Sequence, residues 1–150
     1  MRDRPRDARF SRGEEGSILP LTIFYGFLSL VLILLVVAAT SLYLERKRLF
    51  TLADGAALAG AEAFALDDVA LGSGGPRPRL RSPAVAAAVR GYLAAAPGGI
   101  DSLAVERAVT TDGRSATVEL SGYWRPPVLT VFVPTGLRIE VTAVARSVFF

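Results

Sequence analysis

The chain has 150 residues, no cysteine and no histidine, and all but one of its seventeen cations are arginine. These absences remove disulfide staples, thiolate chemistry, the commonest zinc ligands and the commonest general base, so a non-catalytic role without metal or cofactor is expected. A formal charge of +3 is too small to argue for a nucleic-acid partner, and the 51% apolar content is inflated by one stretch near the N-terminus.

Met1 to Glu15 holds five arginines, four acids and a single aromatic, Phe10. Nothing there can build a core, so residues 1–16 read as a disordered cytoplasmic tail. From Gly16 to Leu44 no residue is charged. That run exceeds the roughly 20 residues that cross a hydrocarbon core of about 30 Å, which predicts a transmembrane helix over 17–44 with the lipid bilayer as its first partner. A cleaved signal would have an apolar core of about 7–15 residues followed by a small-x-small site. Here the small residues Ala38 and Ala39 lie inside the run, so a retained anchor is expected. Arg2, Arg4, Arg6, Arg9 and Arg12 precede the span, against Arg46, Lys47 and Arg48 after it. The bias predicts a single-pass protein of the cytoplasmic (inner) membrane, N-terminus inside and C-terminal domain extracytoplasmic.

Residues 45–71 read as a helical extension of the span. Leu49, Leu52, Ala56, Ala59, Ala63 and Leu66 recur in steps of three and four, a seam with heptad spacing. Ala53, Ala57, Gly60 and Ala61 flank it, and small side chains let another backbone approach closely. The face therefore packs either on the downstream part of the same chain or on neighbouring proteins. Leu49, Leu52, Ala53, Ala56, Ala57, Ala59, Gly60 and Ala63 are the candidate helix-packing and partner surface. Gly55 costs about 1 kcal/mol relative to alanine inside a helix, which signals a close contact or a bend.

Residues 72–82 read as a Gly/Pro linker, because Gly-Ser-Gly-Gly cannot hold a helix and Pro76, Pro78 and Pro83 bar its resumption. No Gly-Lys-Ser/Thr follows, so the glycines form no phosphate cradle. Residues 83–150 then make a small α+β domain. Ser82-Pro83 opens a helix with a cap residue and a first-turn proline; Val85, Val89, Tyr92 and Leu93 form its apolar stripe, and Pro97-Gly98-Gly99 ends it. The period changes to two at Leu103, Val105, Arg107 and Val109. Asp112-Gly113 turns the chain into a second strand, Thr117–Trp124, with Val118, Leu120 and Gly122 on one face. Val128–Val133 is a short strand or an apolar crossing. Arg138–Val148 is the clearest strand, with Ile139, Val141, Ala143 and Ala145 on one side. Ser147–Phe150 reads as a buried sheet edge. The expected fold is α+β: a long N-terminal transmembrane helix continuing into an extracytoplasmic alanine-rich helix, then a short helix and a small antiparallel sheet of three or four strands.

Candidate chemistry is sparse. Asp67-Asp68 is a carboxylate pair whose members point to different helix faces. Asp101, Glu106, Asp112, Glu119 and Glu140 read as solvent-face residues of strands and turns. Tyr123, Trp124 and Arg125, beside two prolines, form one aromatic-basic cluster, either core packing or a binding edge.

Two stretches resemble a known family. Glu15-Gly16-Ser17-Ile18-Leu19-Pro20-Leu21 leads into the apolar span, and Leu52–Ala61 is similar to an "AADAAALAGA" block, with Asp54 at the acidic position and Gly55 in place of an alanine. This arrangement resembles the N-terminal region of TadE/TadG-like proteins of tight-adherence (Flp) pilus assembly. Glu140–Arg146 is similar to the way such proteins end. The resemblance implies a pilin-like, single-pass component of a pilus assembly or related secretion apparatus, whose partners are other pilin-like proteins or itself. It also implies a candidate prepilin-type processing step between Gly16 and Ser17, although the fifth residue after Gly16 is Leu21 where that pattern carries glutamate. The competing reading is a stand-alone, membrane-tethered extracytoplasmic binding module.

Overall fold

The computed structural model describes residues 15–64, 69–72, 75–96, 98–126 and 135–146. The N-terminal tail, Leu66, Asp67-Asp68, the strand expected at Val128–Val133 and the terminal Ser147–Phe150 lie outside the described residues. The chain divides into two compact units, Met1–Val37 and Ala38–Phe150.

Helix α1, Glu15–Ala61, contributes to both units. In the first unit it is apolar, and the large side chains from Ile18 to Ile33 are exposed, as suits a surface whose solvent is lipid. Thr22 donates its hydroxyl to the Ile18 carbonyl at 2.9 Å, which satisfies one polar group within the helix. Pro20 lies inside α1 and has no N–H to offer the Gly16 carbonyl, so the first turn is the weakest part of the ladder.

The second unit is an α+β domain built around the rest of α1. It comprises a two-stranded hairpin, β1 (Val69–Gly72) and β2 (Gly75–Pro78), then α2 (Ser82–Ala95), β3 (Asp101–Val109), β4 (Ser115–Trp124) and β5 (Leu137–Arg146). The last three strands form one antiparallel sheet in the order β3-β4-β5. The fold class is the expected one: a long apolar helix, a short helix and a three-stranded sheet.

Three boundaries differ from expectation. Helix α1 stops at Ala61 rather than running to residue 71. Ala63 N–H reaches back only to the Gly60 carbonyl, 3.3 Å away, a tightened last turn. Beyond it Phe64 packs against the core, so the chain leaves the helix where its buried face ends. The Gly/Pro segment carries a hairpin, with Val69 opposite Pro78 and Gly72 opposite Gly75. Pro76 and Pro78 are tolerated because each strand of a two-stranded ribbon has a free edge. Ser82, read as a cap, makes no cap bond; the N-cap is Arg81, with Pro83 in the first turn. The Ser82 hydroxyl instead donates to the Thr110 carbonyl and accepts from the Thr110 N–H, both at 3.2 Å. It ties the start of α2 to the end of β3.

The alternation read for β4 and β5 is the one observed. Ala116, Val118, Leu120 and Trp124 point inward from β4, and Val141 and Ala143 from β5. In β3 the alternation is broken by irregularities between Asp101 and Ala104 and between Val105 and Arg107. They leave Leu103 and Val105 partly exposed and turn Glu106 toward the outer face of the sheet.

Candidate functional surface

The buried stripe of α1 is Leu49, Ala53, Ala56, Ala57, Gly60 and Ala61. Its spacing of four, three, one, three and one follows one face of an ordinary helix. Leu52 and Ala59 are half-buried at its margin. The face is filled by the chain's own elements. A Cβ placed on Gly60 would stand 3.0 Å from Val85 Cγ1, 3.4 Å from Val89 Cγ2 and 3.2 Å from Ala116 Cβ. Gly60 is therefore the point where α1, α2 and β4 meet, and an added methyl would crowd the other two. Gly55, the other anomaly in the alanine block, lies under Tyr92 of α2, whose ring carbon Cζ would be 2.7 Å from an added Cβ. The close contact signalled by Gly55 is thus intramolecular.

Of the candidate partner surface, Leu49, Ala53, Ala56, Ala57 and Gly60 lie inside this core, so their packing partner in the folded chain is its own domain. The opposite face of α1, with Leu44, Lys47, Thr51, Asp54 and Leu58, is exposed. It is this face that a neighbouring protein can reach.

Three contacts set the direction of β4 along α1. Ala116 lies at Gly60, Gly122 lies at Leu49, whose Cδ1 would be 4.0 Å from a Cβ there, and Trp124 Nε1 donates to Ser41 Oγ at 3.1 Å. The nineteen residues from Ser41 to Gly60 span about 28 Å of helix, and the eight from Ala116 to Trp124 about 26 Å of strand. The strand therefore runs antiparallel to the helix and nearly along it.

The Tyr123-Trp124-Arg125 cluster is divided by the strand period. Trp124 is 7% exposed and packs inward, whereas Tyr123 is 38% exposed on the other face. Arg125 is exposed and pairs with Asp101 at 3.6 Å. Trp124 is thus a core residue, and Tyr123 and Arg125 alone remain on the surface. The bond from Trp124 to Ser41 was missing from the sequence reading. A hydroxyl inside an apolar run was the available signal, but nothing local pointed 83 residues downstream.

The outer face of the sheet is a self-compensating charge network. Glu106 Oε1 accepts from Ser121 Oγ at 2.6 Å and from Arg138 Nη2 at 2.8 Å, and Arg138 also reaches Glu140 at 2.8 Å. Arg107 and Glu119 lie 3.8 Å apart. The Ser121 hydroxyl bond, followed by Arg138, holds the Glu106 carboxyl below its ordinary value. A carboxylate so stabilised is a poor general base, so Ser121, only 3% exposed, is held rather than activated. In the turn before β4, Asp112 accepts the backbone N–H groups of Ser115 and Arg114 and the Ser115 hydroxyl. Those bonds stabilise the carboxylate and hold its pKa far below the usual carboxylate range. Among the described residues no group of three or more ligating side chains could hold a metal ion.

Residues 16–63 match the model of the Flp pilus-assembly TadE/G-like family. The match opens with the apolar run, takes in the whole alanine block and stops in the turn after α1. The TadE/TadG-like segment is thus one helix of this structure together with its last turn, and the downstream sheet lies beyond the match. No curated protein and no solved structure matches the chain. Gly16 and Ser17, named above only through the resemblance, lie in the first turn of α1.

Proposed function

We propose that the chain is a non-catalytic, single-pass, pilin-like component of a Flp/Tad-type pilus assembly or related secretion apparatus. It is anchored by α1 in the cytoplasmic membrane, N-terminus inside, with the α+β domain outside. The observation that carries this reading is the coincidence of the family match with α1. The matched stretch combines a helix long and apolar enough to cross a membrane with an alanine block that seats a folded domain. The exposed face of the same helix, Thr51, Asp54 and Leu58 among its residues, is the surface offered to other pilin-like proteins or to a second copy.

Cysteine crosslinking tests the proposal, since the chain has no native cysteine. Leu58→Cys in the full chain in its native membrane is expected to crosslink to itself or to pilin-like proteins, whereas Ala56→Cys, buried against the domain, is not. Thr142→Cys, exposed on β5, is expected to react with a membrane-impermeant reagent in intact cells. Absence of crosslinks along the whole exposed face, with pili assembling normally when the chain is deleted, refutes an assembly role and leaves the stand-alone tether.

A further inference from the structure

We infer that the end of the sheet where Trp124 pairs with Leu137 rests in the phospholipid headgroup layer, so that the bilayer surface is itself a docking partner of the α+β domain. The inference rests on the reading of α1 as a membrane span.

The argument begins with the Trp124 to Ser41 hydrogen bond at 3.1 Å. Ser41 lies inside the uncharged run Gly16–Leu44, four residues before the first charge, Glu45. Four helical residues are about 6 Å, so there is no spacer between the run and this end of the sheet. The run has 29 residues and a hydrocarbon core takes about 20. The surplus must lie in the interfacial layers, and the last residues of the run, Ser41 among them, fall in the outer one. Because β4 runs antiparallel to the Ser41–Gly60 part of α1 and nearly along it, the Trp124 and Leu137 end of the sheet lies at Ser41 and the Asp112 turn lies toward Gly60. The Trp124 and Leu137 end is then the one facing lipid, and the Asp112 turn is the far end.

The residues at the near end have the composition of an interfacial anchor. Leu137 is 51% exposed and Tyr123 38%, and α1 adds exposed Tyr43 and Lys47. Aromatic side chains with one wet end settle at headgroup level, and long cations extend to phosphate. Arg125 is paired with Asp101 only in an exposed contact of 3.6 Å, a weak pair that leaves its guanidinium able to meet a phosphate. Exposure alone does not single this end out, since Val144 at the far end of β5 is 62% exposed. Position does.

The absence of native cysteine makes a depth measurement clean. The full chain, with single labels of an environment-sensitive fluorophore at Leu137→Cys, Arg125→Cys, Val144→Cys or Ile33→Cys, would be placed in phospholipid nanodiscs carrying spin-labelled lipid. Leu137 and Val144 are seven residues apart, about 23 Å along the strand. The expected result is that the labels at Leu137 and Arg125 are quenched several-fold more strongly by headgroup-level spin label than the label at Val144, and the label at Ile33 by chain-level spin label. If Ile33 is quenched while Leu137 and Arg125 behave like Val144, the inference is overturned and the span stands. If Ile33 is not quenched, the span and the inference fall together. Shielding of Leu137 from aqueous iodide without quenching by lipid would mean that a second copy or another protein covers this end, and would also overturn it.

Discussion

Gly60→Ala tests the helix-to-domain contact most directly. In a helix interior the change is favourable by about 1 kcal/mol. Here the new methyl would lie 3.0–3.4 Å from Val85 Cγ1, Ala116 Cβ and Val89 Cγ2, all on buried residues of two different elements. Overpacking of that kind costs about 1–3 kcal/mol, so the net effect is between neutral and a loss of about 2 kcal/mol. Gly91→Ala in α2 is the matched control: nothing lies within 4 Å of its added Cβ, and only the helical gain of about 1 kcal/mol remains. Subtracting one change from the other cancels propensity and isolates crowding, about 1–3 kcal/mol. Urea unfolding of the full chain in mild detergent, followed through its one tryptophan, Trp124, would place the Gly60→Ala midpoint about 1 M below that of Gly91→Ala for an m-value of about 1–3 kcal/mol/M. Val85→Ala removes the closest methyl, so in the Gly60→Ala background it should cost less than it does alone. If Gly60→Ala stabilises the chain as much as Gly91→Ala, α1 does not lie against Val85 and Ala116, and the account of the alanine face is wrong.

Ser41→Ala should lower stability by about 0.5–1.5 kcal/mol and shift Trp124 emission by removing its hydrogen bond; an unchanged spectrum would contradict that contact. Gly136 has φ +71°, and an added Cβ would lie 2.7 Å from the Trp124 carbonyl oxygen. Gly136→Ala should therefore lose at least the left-handed penalty of about 1–2 kcal/mol, measurable in the same assay, and a neutral result would argue against this turn. The folded-state pKa values of Glu106 and Asp112 both lie below their ordinary values. Their contribution to stability is then full above the ordinary carboxylate range and is lost as pH falls through the folded values. Urea midpoints between about pH 7 and about pH 3 should fall for the parent chain and fall less for Glu106→Gln with Asp112→Asn. Equal acid sensitivity of the two would remove these carboxylates from the explanation.

Much of the architecture was legible because it is written in local periods. An uncharged run longer than a bilayer needs, small residues at helical spacing and two-residue alternation in β4 and β5 each state which face of an element is apolar. Gly55 and Gly60 stood out because glycine in a helix is unfavourable unless something crowds it. The end of α1 was not legible, since Glu62, Ala63 and Phe64 continue a plausible helical pattern and only the packing of Phe64 ends it. The hairpin at β1 and β2 was hidden by its prolines, which look like breakers until one knows that each strand has a free edge.

The sequence by itself determined that this chain carries a helix long and apolar enough to cross a membrane, an alanine-faced helical continuation and a small sheet, because hydrophobic patterning depends only on neighbours along the chain. Only the tertiary structure decided what the alanine face meets. Periodicity names a buried side without naming its occupant, and here α2 and β4 fill it, leaving the opposite face exposed. It also decided which end of the sheet lies at the level of Ser41, because a hydrogen bond between residues 83 apart leaves no trace in either local pattern.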